Sequence, residues 1–403
     1  MPPTPGPDPR RREPSIAELC RYFLRLGAFG FGGPVALAGY MQRGLVEERG
    51  WVTSQEYRDG LAVAQVAPGP LAAQLAMWLA FVRHGVRGAT LVSLAFVAPA
   101  FLIVVAVAWV YVAAGGATWV GSVFYGVAPA AIAIIALSAY RLTALTLHRD
   151  PLLIVIAGVL AVLTIITGSE VAVAFVAAGV AVVLVRHDVR PWLRRVAASL
   201  HDRGLAVSFL APAFPPAAWQ LPLLWDMLLY FSFAGAFVFG SGLAIVPFLH
   251  QGLVIDHGWL TEQQFLDSVA VGLITPGPVV ITASFAGFLI AGLPGALVGT
   301  LGVFLPAYLL VVIPGPWILR HKDAPIVQAF IAGVSAAATG AIIGAVAVLG
   351  RRALFDGPTV VIGVASLIAL LAIRRWKPPI LTALAEPAVV LVAGVVGVLL
   401  RGA

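Results

Sequence analysis

The same apolar motif occurs twice in this chain, 208 residues apart, and glycine and proline interrupt it at the same places each time. The first copy runs from Phe29 through Gly32, Gly44-Leu45-Val46, Gly50-Trp51, Thr53, Gln55 and Asp59 to Pro68-Gly69-Pro70. The second runs from Phe237 through Gly240, Gly252-Leu253-Val254, Gly258-Trp259, Thr261, Gln263 and Asp267 to Pro276-Gly277-Pro278. Beyond His84 the offset drops to 207, as Pro99 and Pro306 show. A chain that duplicates an interrupted apolar unit folds as two related halves. Paired breaks of this kind mark the binding site at the repeat interface of membrane carriers.

Composition places the unit in a membrane. Hydrophobic residues make up 61% of the 403 positions and charged residues 11%, and the mean hydropathy is +0.99. Runs long enough to cross about 30 Å of hydrocarbon recur; the stretch from Ala89 to Val112 carries no charge. The alternation of a β-barrel is absent, so the expected fold is an all-α polytopic membrane protein. The net charge of +7 comes from basic residues lying between apolar runs. That is the mark of positive-inside topology and not of nucleic-acid binding. Cys20 is the single cysteine, which excludes an intramolecular disulfide and a thiolate metal cluster. The histidines do not pair at metal-ligand spacing. No Ser-His-Asp order, phosphate loop or carboxylate cluster points to an enzyme, and neither metal nor cofactor is expected.

Each half divides into six apolar segments, at 15–40, 59–82, 88–113, 119–147, 151–167 and 170–186, then at 223–249, 265–291, 295–319, 325–349, 358–373 and 386–401. Residues 1–14, rich in Pro and Arg, read as disordered. Residues 15–186 form the first repeat, 187–222 a basic, Pro-rich linker, and 223–403 the second repeat. The basic loops alternate out of phase. Arg83, His84 and Arg87 have no charged counterpart in the second half, whereas Arg320, His321 and Lys322 have none in the first. Positive-inside logic therefore sets the halves in opposite orientations, with the N-terminus cytoplasmic; Arg351 and Arg352 run against it. Inversion needs an odd number of crossings. Either one segment per half is re-entrant, or the linker crosses near 204–221.

The breaks are the candidate site, with close helix packing through small residues and a structural kink as the alternatives. The first lies at Gly32, Gly33 and Pro34, with Gly240, Ser241 and Gly242 as its counterpart. The second is Pro68-Gly69-Pro70, flanked by Gln65 and Gln74, matched by Pro276-Gly277-Pro278 flanked by Thr275 and Thr282. Glycine and proline stop a helix, and a broken helix at membrane depth is tolerated where it lines a cavity or is buried in protein. The next helix starts with unpaired N–H groups and a partial positive charge, which is an anion site built from backbone. Arg25 either snorkels to the membrane edge or faces a cavity and attracts an anion. Glu18 and its counterpart Asp226 are candidates for proton linkage, with pairing of Glu18 to Arg21 or Arg25 as the alternative. Arg43, Glu47, Glu48 and Arg49 read as a solvated interfacial turn.

With Phe31-Gly32-Gly33-Pro34, Glu47-Glu48-Arg49-Gly50-Trp51, Pro68-Gly69-Pro70, Trp259-Leu260 and Thr275-Pro276-Gly277-Pro278-Val279-Val280-Ile281-Thr282-Ala283, the chain resembles the chromate ion transporter family over nearly its whole length, as in the two-domain members. The resemblance implies a bacterial-type inner-membrane carrier that exports chromate, with proton antiport as a possible coupling and sulfate as a structural analogue. The expected partners are a chromate- or sulfate-like oxyanion, the lipid bilayer and, as an option, a second copy of the chain. Family members often carry hydroxyl or amide groups after the first Pro-Gly-Pro and His or Gln near Leu37. Here Leu71, Ala72 and Ala73 leave only Gln74, so the first half-site is drier. Energetics favours outward movement of a dianion. At about 2.3 kcal/mol per charge per 100 mV, export gains about 4.6 kcal/mol, or roughly three decades of gradient.

Overall fold

The computed structural model describes residues 13–31, 33–114, 118–147, 150–167, 172–187, 223–238, 242–376 and 379–401. Nearly all of the N-terminal segment and the linker therefore lie outside the described residues, as do Gly32, Gly240, Ser241 and any crossing near 204–221. The described residues are helical, with no strand among them.

The first half consists of α1 (Ile16–Phe29), α2 (Gly33–Met41) with a π-helical turn over Gln42–Glu48, α3 (Ser54–Val66), α4 (Leu71–Ala113), α5 (Thr118–Thr146), α6 (Pro151–Thr167) and α7 (Ala172–Arg186). The second consists of α8 (Leu223–Ala236), α9 (Ile245–His250) with a π turn over Gln251–Asp256, α10 (Glu262–Ile274), α11 (Thr282–Val312), the short α12 (Gly315–His321), α13 (Pro325–Ala353), α14 (Gly357–Trp376) and α15 (Pro379–Arg401). Among the described residues, five helices are long and apolar enough to cross a membrane: those containing Leu71–Ala113, Gly121–Ala144, Val279–Val312, Pro325–Ala353 and Leu384–Arg401. This is a polytopic α-helical membrane protein of two homologous halves.

The first two segments of each half are not crossings. The Tyr22 hydroxyl donates to the Tyr40 carbonyl at 2.8 Å, although a straight helix would hold residues 18 apart at about 27 Å. Tyr230 repeats the contact with Phe248. The chain therefore turns back at the first break, and α1 and α2 form a re-entrant hairpin. It turns back again at Pro68-Gly69-Pro70, because a Cβ on Gly60 would stand 2.6 Å from Trp78 Cδ1. Equivalent capping boxes start the inward limbs, with Thr53 and Glu56 on α3 and Thr261 and Gln264 on α10. Each satisfies two N–H groups that the helix start leaves unpaired.

A third reversal interrupts α4 at His84–Gly85 and α11 at Ala291–Gly292. Ser284 Oγ and Thr300 Oγ1 are 2.6 Å apart, where one continuous helix would separate them by about 24 Å. After the reversal the chain crosses in a single limb, 86–113 in α4 and 293–312 in α11. Small residues let these limbs touch their neighbours: a Cβ on Gly27 would collide with the Phe96 carbonyl, and one on the equivalent Gly235 with the Val303 carbonyl. Close approach through small residues is how helices pack without a hydrophobic drive between them.

The halves are intertwined. α5 packs against α14 and α15, and its counterpart α13 packs against α6 and α7. α4 and α11 pack on each other, as do α5 and α13. Each half thus completes its packing with the last two helices of the other.

Candidate functional site

The four breaks meet inside the protein. The amide of Gly69, at the tip of the first Pro-Gly-Pro hairpin, donates to the Val238 carbonyl at the first break of the second half, at 2.5 Å. The amide of Gly277 donates to the Gly30 carbonyl at 2.8 Å. These are one contact made twice, since Gly69 corresponds to Gly277 and Gly30 to Val238 at the 208 offset. Gly69 and Gly277 have φ of +142° and +99°, a region that side chains strongly disfavour. A Cβ on Gly69 would stand 2.8 Å from Ala307 Cβ, and one on Gly277 would stand 3.1 Å from Ala100 Cβ, again equivalent positions. At the centre, Pro34 Cγ lies 4.0 Å from where a Cβ of its counterpart Gly242 would sit.

Around the tips the side chains differ. Gln74 is fully buried. Its Nε2 donates to the Pro68 carbonyl at 2.7 Å, while its Oε1 has no hydrogen-bond partner among the described residues. Thr282 is buried as well, and its hydroxyl donates to Val279 in its own turn at 2.9 Å. The Thr275 hydroxyl bonds back to Val271 at 2.7 Å. Gln65 is exposed on α3. Arg25 is exposed too, on the side of α1 opposite the buried stripe of Leu19, Phe23, Leu26 and Gly27. Glu18 closes the capping box at the start of α1, accepting from Ser15 N and Oγ at 2.9 and 3.0 Å. Asp226 is half-buried in the first turn of α8. Twelve residues separate Glu18 from Gly30, about 18 Å of helix. The structure therefore gathers Gly33, Pro34, Pro68, Gly69, Pro70, Gln74, Gly242, Thr275, Pro276, Gly277, Pro278 and Thr282 at the tips. It leaves Glu18 and Asp226 at the hairpin bases.

The Gly-Trp loops close those bases. Arg49 lies over the rings of Tyr22 and Trp51, at 5.1 and 5.5 Å. Its counterpart His257 stacks on Trp259 at 4.1 Å. Arg43, Glu47, Glu48 and Arg49 are all exposed in this turn, and Arg49 is held there by its cation–π contacts. Each hairpin base also meets the far end of the other half's crossing limb. Lys322 Nζ pairs with Asp59 at 2.8 Å. Asp267, the counterpart of Asp59, is buried and accepts from Tyr111 Oη and Gln263 Nε2, both at 2.7 Å. Beside Tyr111 an apolar crevice of about 360 Å³ opens between α4, α5, α10 and α15; its lining does not suit a charged substrate.

Two membrane-embedded charges escaped the sequence reading. Arg141 on α5 and Glu386 on α15 face each other at 3.8 Å, and Glu386 Oε2 lies 4.0 Å from where a Gly33 Cβ would be. Their signal was present: each is a lone charge within an apolar stretch. Among the described residues, no group of three or more His, Cys, Asp or Glu could hold a metal ion.

Duplicated re-entrant hairpins whose tips converge between intertwined halves define a membrane transporter, not an enzyme. The family model described as "Chromate transporter" matches residues 17–184 and again 225–398. A "Probable chromate transport protein" of Synechococcus elongatus is 51% identical over 385 residues, covering 96% of this chain and 95% of its own length. The "Chromate transport protein" of Cupriavidus metallidurans is 50% identical over 374 residues, 92% of this chain and 91% of its own. That of Pseudomonas aeruginosa is 32% identical over 391 residues, 95% and 92% respectively. The chain belongs to the chromate transporter family, in its two-domain form. No solved structure matches it.

Proposed function

We propose that this protein carries chromate out of the cytoplasm, through a site where the four tips meet between inverted halves. The observation that carries the site is the reciprocal pair of bonds from Gly69 to Val238 and from Gly277 to Gly30. They bring four interrupted helices to one place. The helices that restart there begin with amides lacking partners within the helix, and with a partial positive charge. A tetrahedral dianion suits such a site. Amides after Gly33, Pro70, Gly242 and Pro278 hold its oxygens, and Gln74 adds a hydrogen bond through the second proton of Nε2; the Thr275 and Thr282 protons are already given to Val271 and Val279, and Gln65 is exposed on α3. Arg25, exposed on the far side of α1, stands outside this cluster.

Inversion is supported by the pair Asp59–Lys322. Asp59 lies at the base of a first-half hairpin, and Lys322 follows the crossing limb of α11. In parallel halves all hairpin bases would share one face, and Lys322 would lie about 30 Å away across that limb of 20 residues. Arg352, which ran against the charge rule, is neutralised by contact with Glu262. The basic bases of the first-half hairpins, with Arg43, Arg49, Arg58, Arg83 and Arg87, then face the cytoplasm of a bacterial-type inner membrane. Outward movement of a dianion runs down a negative-inside potential and needs no coupled ion.

The test is chromate uptake into inside-out vesicles, with labelled sulfate as competitor and an imposed potential. Saturable uptake, faster when the vesicle interior is positive, is the expected result. Transport of sulfate with no chromate movement would overturn the substrate. Proton antiport through Glu18 or Asp226 predicts a pH-dependent rate that their amide variants flatten; a rate indifferent to pH in all three proteins removes it.

A further inference from the structure

Helices α5, α6, α7, α13, α14 and α15 hold only two charged residues outside their first and last turns, Arg141 and Glu386. A charge at membrane depth is costly and marks a substrate or ion path unless it is fully neutralised. Here neutralisation is incomplete. The Arg141 Nη1 to Glu386 Oε1 distance is 3.8 Å, too long for a hydrogen bond. Arg141 Nε and Nη2 are buried and have no hydrogen-bond partner among the described residues. Those two atoms form the edge of a guanidinium that donates two parallel hydrogen bonds to two oxygens of one anion. Glu386 bridges this cation to the tip cluster, because its other oxygen lies beside Gly33, where no other heavy atom of the described residues outside its own turn stands within 4 Å of a would-be Cβ. The placement is set by helix packing. α5 and α15 approach through Gly126 and Gly397, with a Cβ on Gly126 colliding with the Ala393 carbonyl and one on Gly397 with the Ser122 carbonyl.

We propose that Arg141 is the side chain that receives the substrate oxyanion, and that Glu386 is its built-in competitor, drawn to the guanidinium when the site is empty. The inference rests on the transport reading above and names the cation that reading lacked. The Nε–Nη2 edge takes two oxygens of a tetrahedral dianion while the Gly33 end of α2 faces the rest. Glu386 repels the anion and attracts Arg141, so it weakens substrate affinity and favours release. An ion pair serving structure alone would have the guanidinium saturated.

The experiment measures KM and maximal rate for chromate in vesicles, with membrane protein quantified by immunoblot, for wild type, Arg141→Gln, Arg141→Lys, Glu386→Gln and the double variant R141Q/E386Q. Arg141→Gln is expected to raise KM by about tenfold or more, since a charge-assisted double contact is lost. Arg141→Lys should fall between, because an ammonium cannot make the paired contact. Glu386→Gln should lower KM, a gain that damaged folding does not produce. The double variant should stay as impaired as Arg141→Gln. Recovery in the double variant, or an unchanged KM in both single variants, would overturn the inference while wild-type transport stands. Absence of chromate transport by wild type would instead overturn the transport reading itself.

Discussion

The two halves share a backbone and differ in charge. Four devices that shape the chain are present twice: the capping boxes at Thr53 and Thr261, the tips at Gly69 and Gly277, the reversals at Gly85 and Gly292, and the contacts of Gly27 and Gly235. The ionic contacts are not duplicated. Asp59 faces Lys322 near the surface, whereas Asp267 is buried against Tyr111. Arg49 becomes His257, Gln74 becomes Thr282, and Arg141 has Val348 at the equivalent position. Pseudo-symmetry thus builds the backbone frame, and departures from it let the two ends of the molecule differ. A carrier of a charged substrate needs both, because its two faces see different ion concentrations and opposite signs of potential.

The comparison can be broken most forcefully at the shared packing. Gly27→Leu and Gly235→Leu each push a side chain into a neighbouring carbonyl. Each is expected to cost about 1–3 kcal/mol or more and to reduce inserted protein to a similar degree, read by immunoblot of membranes. Loss in one half alone would show that the packing is less symmetric than its contacts.

The tips come next. Gln74→Leu removes the donor that holds the Pro68 carbonyl, and is expected to abolish transport while protein level stays normal. Thr282→Val removes only a bond within one turn, so its rate should fall less than about tenfold. Equal effects of the two, measured as chromate uptake per inserted protein, would erase the distinction drawn between the tips.

The two hairpin-base contacts should separate by burial. Tyr111→Phe leaves a buried carboxylate short of a donor and should cost about 1–3 kcal/mol. Lys322→Ala breaks a partly exposed pair worth about 0–1 kcal/mol, an effect that added salt diminishes. Thermal unfolding in detergent at two salt concentrations separates them. The smallest and most equal effects belong to the caps: Thr53→Ala and Thr261→Ala should each cost about 1 kcal/mol, and a clear inequality would mean that the hairpins bear load differently.

Much of this was legible in the residue order. A repeat offset needs no structure, and Gly, Pro and capping residues act on their own backbone within a few positions, so the breaks and helix starts could be read directly. The membrane class followed from hydropathy. A Pro-Gly-Pro, however, reads equally as a kink or as a reversal. The choice depends on whether Gly60 can lie against Trp78 or Tyr22 can reach Tyr40, which are distances and not residue types. Asp59 and Asp267 look alike in sequence because the Lys322 and Tyr111 that distinguish them lie far along the chain.

Arg141 and Glu386 mark the boundary most sharply. Each is visible as a charge in an apolar stretch, and the cost of such a charge was knowable. Their partnership, and their nearness to Gly33, was not. Those depend on α5 packing against the last helix of the opposite half, through glycines that act only once the two helices touch. The sequence by itself determined the duplicated unit, its breaks and its solvent, because those follow from local backbone preference and from summed hydrophobicity. The tertiary structure decided that the four breaks meet at one place and which charges stand beside them, because those follow from contacts between residues hundreds of positions apart.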